Sequence, residues 1–100
     1  MEYLNTIEPI TMEQFLPMVI QFKMDGWRLV QICACRLPEQ YELSYSFAKG
    51  FDMRTLRLTV GEDEPVSSIT QVYPCAFIQE NEVAELFGVK IESMENDYHH

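Results

Sequence analysis

The chain has 100 residues and a formal net charge of −9, from 16 acidic and 7 basic side chains. This length suits a single domain over residues 1–100, and a hydrophobic content of 47% excludes a disordered chain. The excess of carboxylates argues against nucleic acid or an anionic membrane surface as a direct partner, because both are bound mainly through lysine and arginine, and it favours a basic protein partner.

A first helix is predicted over residues 11–24. Thr11 and Gln14 have capping-box spacing, in which each side chain bonds the other residue's backbone N–H. Pro17 lies past the first turn, where a missing N–H costs about 3 kcal/mol, so the helix either begins near Pro17 or kinks there. Apolar residues recur along one face: Met12, Phe15, Leu16, Val19 and Phe22.

Three strands are predicted to follow as a meander. Residues 27–37 carry apolar side chains on both alternating sets, which is typical of a strand covered on both faces and predicts a place in or near the centre of the sheet. Residues 41–47 and 55–60 alternate between apolar and polar, so each strand would have one buried face and one wet face. Turns are expected at residues 37–40 and 50–52.

The last third of the chain is predicted to hold a loop, a helix and a strand. An acidic loop at 61–65 and a helical turn at 67–73 lead into the helix, which Gly88 would end in a left-handed conformation. Residues 89–92 then form a strand, and residues 95–100 are expected to fray. The helix has an apolar face flanked by acidic residues: Val83, Leu86 and Phe87 against Glu80, Glu82 and Glu85.

These elements combine into an α+β fold. We expect a mainly antiparallel sheet of about four strands, with two helices packed on one face. The chain contains neither an internal repeat nor a linker, so one domain accounts for all of it.

The sequence predicts a cytoplasmic protein. No stretch approaches the roughly 20 apolar residues that a membrane-spanning helix needs, and residues 1–4 lack the basic and apolar regions of a signal peptide. Cys33, Cys35 and Cys75 have no disulfide-framework spacing, which indicates free thiols in a reducing compartment. Membrane association would therefore come through a partner, without direct insertion.

We find no residue pattern for catalysis, a cofactor or a metal. The chain has no glycine-rich phosphate loop, nucleophile elbow or HExxH helix. Cys33 and Cys35 share a strand face, but with Cys75 as the one further thiol they fall short of the four ligands of a structural metal site, so we expect core thiols. His99 and His100, at the end of the chain, are given no metal role.

One pattern in the last third resembles a known family. The signature helix consists of Glu80-Asn81-Glu82, Glu85-Leu86-Phe87-Gly88-Val89 and Ile91-Glu92. It is preceded by an acidic loop with proline and serine over residues 62–70, then Tyr73-Pro74 and Phe77. The order and spacing are similar to those of the 30 kDa subunit family of respiratory NADH:quinone oxidoreductase. The related subunit of membrane-bound energy-converting nickel–iron hydrogenases shares them.

Three departures favour the hydrogenase branch of this resemblance. Asn81 stands where the family usually has arginine, and Met94 stands near where a histidine is common. The basic tail that normally follows is absent from these 100 residues. Hydrogenase-branch subunits are shorter and more divergent, so they accommodate these differences better.

The resemblance implies a cofactor-free accessory subunit of an oxidoreductase complex, with no enzymatic activity by itself. It implies docking against a large hydrogenase-like (49 kDa-type) subunit and neighbouring subunits of the peripheral arm, at the cytoplasmic face of the inner membrane. Glutamates of the signature helix would anchor basic residues of the partner. The expected interface residues are Pro65, Ser67, Thr70, Tyr73, Pro74, Phe77, Glu80, Glu82, Glu85 and Gly88.

Other interpretations of the same residues remain open. The cluster of Glu80, Glu82 and Glu85 would serve a stand-alone small-molecule-binding domain or enzyme if the carboxylates converged in a pocket with a basic or metal partner. The simplest interpretation is a solvated helix face. A third is a homodimer formed through a sheet edge.

Overall fold

The structure is a computed structural model that describes the backbone of residues 4–92 and the side chains of residues 6–92. Four strands form one sheet in the order β1-β4-β3-β2, and two short strands pair separately. Neighbouring strands in the large sheet are antiparallel except β1 and β4, which run parallel. The elements are β1 Leu4–Ile10, α1 Met12–Met24, β2 Arg28–Leu37, β3 Gln40–Lys49, β4 Asp52–Gly61, β5 Val66–Ser67, α2 Ala76–Phe87 and β6 Ile91–Glu92.

Helix α1 begins where the capping box predicts. The Thr11 hydroxyl accepts from the Gln14 N–H at 3.3 Å, and the Gln14 side chain accepts from the Thr11 N–H at 3.1 Å. The helix continues through Pro17, so the alternative of a start at Pro17 is wrong. Pro17 and Glu13 are both exposed, and water can therefore reach the Glu13 carbonyl that loses its helical donor.

The core lies between the helices and one face of the two central strands. The predicted apolar set of β3 is buried, and its rings contact α1 and the segment before α2. Phe15 lies 4.7 Å from Tyr45 between ring centroids, and Phe47 lies 4.8 Å from Phe22 and 5.4 Å from Tyr73. The predicted α+β fold with two helices on one face is confirmed. The sheet contains one parallel pairing besides its two antiparallel ones.

Two polar side chains predicted to be wet are buried on the opposite face of the central strands. Ser46 and Thr55 are each 6% exposed. They face each other across β3 and β4, and their hydroxyl oxygens are 3.0 Å apart. A hydrogen bond between neighbours lets small polar residues be buried at little cost, and alternation alone does not reveal it.

The prediction that β2 lies in the sheet centre is wrong, because β2 is an edge strand. Cys33 and Cys35 are exposed on it, and Cys75 is exposed before α2, so the prediction of core thiols is wrong as well. A register shift between Leu29 and Gln31 interrupts the alternation, and the small thiols are tolerated on a wet face. Apolar residues at both alternating sets of positions in β2 therefore did not indicate burial on both faces of the strand.

Strand β1 was not predicted from the sequence. Glu8 and Pro9 interrupt its apolar pattern, yet it pairs with β4 over seven residues. Proline is tolerated on an edge strand, where it removes no necessary donor. The Arg54 guanidinium on β4 donates to the Glu8 carboxylate at 3.0 Å, which satisfies the charge on this strand.

The strand predicted over residues 89–92 exists, but it belongs to the small sheet. Ile91–Glu92 pairs in parallel with Val66–Ser67, so Ser67 is in a strand rather than a helical turn. The turn itself is present further on, where the Tyr73 N–H donates to the Ile69 carbonyl at 2.8 Å. The frayed end expected at residues 95–100 lies outside the described residues.

Candidate functional site

Glu80 is buried and organises the segment before helix α2. It is 5% exposed. One carboxylate oxygen accepts from the Ser68 hydroxyl at 2.7 Å and the Thr70 hydroxyl at 2.9 Å, and the other accepts from the Ile69 N–H at 2.7 Å. These bonds fix the loop over residues 68–70 against the helix.

The buried face of α2 is offset from the one that the sequence predicted. Ala76, Glu80 and Val83 point into the core, while Leu86 is 77% exposed. Gly88 ends the helix with a φ of 77°, as predicted, in the left-handed region that favours glycine. Glu80 was placed on the wet flank because it is charged. Two features of the sequence could have indicated that Glu80 is buried. It lies three residues before the buried Val83, on the same helix face, and Ser68 and Thr70 upstream supply hydroxyl donors for its carboxylate.

An open groove of about 580 Å³ lies between this loop and α2. Four of the ten residues expected at a partner interface line it: Thr70, Pro74, Phe77 and Glu80. Five further lining residues are not among those ten: Ser68, Gln71, Asn81, Ala84 and Ile91. The groove therefore combines polar atoms from the loop with apolar surface from the helix.

The remaining predicted interface residues are not in the groove. Tyr73 is 4% exposed, and its hydroxyl donates to the Trp27 carbonyl at 2.8 Å, so its side chain belongs to the core. Pro65, Glu82, Glu85 and Gly88 are exposed, and Ser67 is half-buried in β5.

Helix α2 also carries apolar side chains on its solvent side. Phe77 is 58% exposed, Ile78 67% and Leu86 77%. Glu82 and Glu85 are exposed on the same helix. Apolar residues interspersed with charges on one exposed helix are typical of a protein contact surface.

The Tyr45 hydroxyl is buried next to this site and has no hydrogen-bond partner among the described residues. Burial, and then the negative charge of Glu80, raise the pKa of Tyr45 well above its usual value near 10. In the unfolded chain the same hydroxyl loses its proton near pH 10. Stability should therefore fall as pH rises above about 10, by up to about 1.4 kcal/mol per pH unit.

Substitution Tyr45→Phe is expected to remove this alkaline loss. At pH 7 the variant should be as stable as the wild type, within about 1 kcal/mol, because it loses a buried donor that has no partner among the described residues. Urea unfolding at pH 7 and pH 11 measures both effects. Burial also raises the pKa of Tyr73, but Tyr73 is present in both proteins. The difference between their alkaline losses of stability therefore isolates Tyr45. Equal alkaline losses in the two proteins would contradict the prediction.

Residues 6–92 contain no group of three or more histidine, cysteine, aspartate or glutamate side chains that could hold a metal ion. Within the described residues, neither helix is long and apolar enough to cross a bilayer.

The fold and site together define a small α+β domain with an exposed, mixed apolar and acidic helix. The chain belongs to the respiratory-chain NADH dehydrogenase 30 Kd subunit family, whose model matches residues 8–98. This confirms the resemblance found in residues 62–92. Among curated proteins, none matches the chain.

Seventeen chains of solved structures match the chain. One is a chain in the structure of the membrane-bound sulfane sulfur reductase, described as an archaeal respiratory membrane complex. The TM-score is 0.81 at 18% sequence identity, over 91% of this chain. The match spans 58% of that archaeal chain's length. At this identity the likeness establishes the shared fold.

Proposed function

We propose that the chain is a cofactor-free docking subunit of a membrane-associated respiratory complex, of the NADH dehydrogenase or energy-converting hydrogenase type. Its partners would be a large hydrogenase-like (49 kDa-type) subunit and neighbouring subunits of the peripheral arm. The complex would hold it at the cytoplasmic face of the inner membrane. Family membership supports the subunit role, and the fold shared with a chain of an archaeal respiratory membrane complex supports the setting.

The observation that carries the proposal is the exposed side of α2. Phe77, Ile78 and Leu86 are more than half exposed on one helix, whereas Met24 and Phe51, the other large apolar side chains exposed to that degree among the described residues, lie elsewhere in the chain. A partner that covered them would gain hydrophobic free energy. Glu82 and Glu85 would face its basic residues and set the orientation of docking.

The competing proposal of an enzyme built on the glutamate cluster has little support. Glu80 is buried beneath the loop, whereas Glu82 and Glu85 are exposed and do not line the groove. The three carboxylates therefore do not converge on one pocket, which acid–base or metal chemistry would require.

Charge reversal on the exposed helix tests the docking proposal. In the source cells, a tagged wild-type chain should recover a large hydrogenase-like subunit, identified by mass spectrometry. The double variant Glu82→Lys and Glu85→Lys should recover at least about tenfold less, because like charges would face each other across the interface.

The matched control is Glu13→Lys with Glu39→Lys, an equal charge change at two exposed positions outside α2. It should recover the partner as the wild type does. Circular dichroism verifies that both variants fold. Recovery that survives reversal on α2, or a wild-type chain that recovers no large subunit, contradicts the proposal.

A further inference from the structure

Three oxygen atoms lie together at one place in the groove. The Ser68 hydroxyl, the Thr70 hydroxyl and one Glu80 carboxylate oxygen are mutually 2.7, 2.9 and 3.1 Å apart. We call these atoms the oxygen triad. All three residues line the groove, and Ser68 and Thr70 are half-buried rather than covered. The triad is therefore close enough to the surface to meet a group from outside.

The triad can accept further hydrogen bonds but has no hydrogen left to donate. Each hydroxyl carries one hydrogen, and both are within bonding distance of the Glu80 oxygen, the charged and strongest acceptor. The Thr70 N–H donates to the Ser68 oxygen at 3.2 Å. What remains free within the triad is lone pairs on the two hydroxyl oxygens, because its Glu80 oxygen already accepts from both of them. A group that binds here must therefore bring donors.

The negative charge of the triad is not paired with any lysine or arginine of the chain. All seven lysine and arginine residues are in the described part of the sequence, and none lies within ion-pair distance of Glu80. The bonds to Glu80 come from neutral hydroxyl and amide groups. The Glu80 charge is therefore hydrogen-bonded but not neutralised, and a cation from outside the chain would neutralise it. The ion pairs in the described part join Arg36 to Glu62, Arg54 to Glu8 and Arg57 to Glu42.

The rest of the groove suits a flat cation on an apolar stem. Phe77, which is 58% exposed, and Pro74 line it together with the triad. An aromatic face attracts a cation, and a planar guanidinium with five N–H donors both stacks and bonds several acceptors. A divalent metal fits less well, since the triad offers it a single carboxylate.

We propose that the groove receives an arginine side chain of the partner subunit, whose guanidinium bonds the oxygen triad and stacks on Phe77. This inference rests on the proposed docking function. It names the partner's side chain and the atoms that hold it.

A side-chain-resolution structure of the complex recovered with the tagged wild-type chain tests the inference directly. A guanidinium nitrogen of a partner arginine should lie about 3 Å from the Ser68 or Thr70 hydroxyl oxygen. A groove that holds a lysine, an apolar side chain or only water overturns the inference while leaving the docking function intact. A chain that is not in any such complex overturns the docking function itself.

Two variants test the same contact in solution against the purified partner subunit. Thr70→Val removes one acceptor of the triad and keeps the side-chain volume, and it should weaken binding at least about tenfold. The matched control is Thr59→Val, at an exposed position on β4, which should bind as the wild type does. Unfolding in urea verifies that Thr70→Val is folded under the binding conditions.

Phe77→Leu removes the aromatic face on which a guanidinium would stack. It keeps an apolar side chain at an exposed position, so the variant should fold as the wild type does. It should weaken binding about threefold or more. If Thr70→Val and Phe77→Leu both bind as the wild type, the arginine contact is overturned. If Glu82→Lys with Glu85→Lys weakens binding in that same experiment, the docking function still stands.

Discussion

Replacing Glu80 with alanine is expected to lower the free energy of unfolding by about 3 kcal/mol. The carboxylate accepts from the Ile69 N–H and from the hydroxyls of Ser68 and Thr70. The Ile69 amide is buried, so the variant leaves its N–H without an acceptor. A buried, unpaired donor destabilises the folded state. Water can satisfy the half-buried hydroxyls, which is why the loss does not reach the sum of three bonds.

Urea unfolding at pH 7 measures this loss, with a midpoint that should fall by about 1–3 M. The matched control is Glu82→Ala, two positions along the same helix at an exposed site, where a change within about 0.5 kcal/mol is expected. Equal stability of the two variants would show that Glu80 does not hold the loop. The result bears on function, because the same loop lines the groove.

Replacing Phe47 with alanine is expected to lower the free energy of unfolding by about 4 kcal/mol, because it opens a cavity in the centre of the core. Phe47 is completely buried. Its ring contacts Phe22 of α1 and Tyr73 before α2, at centroid distances of 4.8 and 5.4 Å. One side chain thus joins the first helix, the sheet and the segment leading to the second helix.

Thermal and urea unfolding of this variant should show a large loss of stability, or no folded state at physiological temperature. Phe77→Ala is the control, because it removes the same atoms from a ring that is 58% exposed. Its loss should stay below about 1 kcal/mol. A Phe77 variant as unstable as the Phe47 variant would contradict the placement of the core.

The sequence predicted elements with a strong local signal and missed those that depend on a distant partner. The capping box at Thr11 and the glycine at Gly88 are local, and both are confirmed. Strand β1 was missed because its support comes from β4, with Glu8 bonded to Arg54. The central place predicted for β2 failed since alternation does not report which neighbours a strand has.

The same limit applies to the site. Charge alone placed Glu80 with Glu82 and Glu85, although it is buried by a loop that begins twelve residues before it. The groove includes four of the residues that the resemblance indicated. Its oxygen triad follows from tertiary contacts between the loop and the helix, which no spacing rule within α2 contains.

The parallel pairing of β1 with β4 has a consequence for the order in which the domain can form on the ribosome. Within the described residues, β4 is the strand to which β1 bonds, and β4 ends at Gly61. The meander of β2, β3 and β4 closes through short turns, whereas β1 must wait for a long loop to close at an entropic cost. Among the four strands of the large sheet, the one that is synthesised first is therefore the last that can pair with its neighbour.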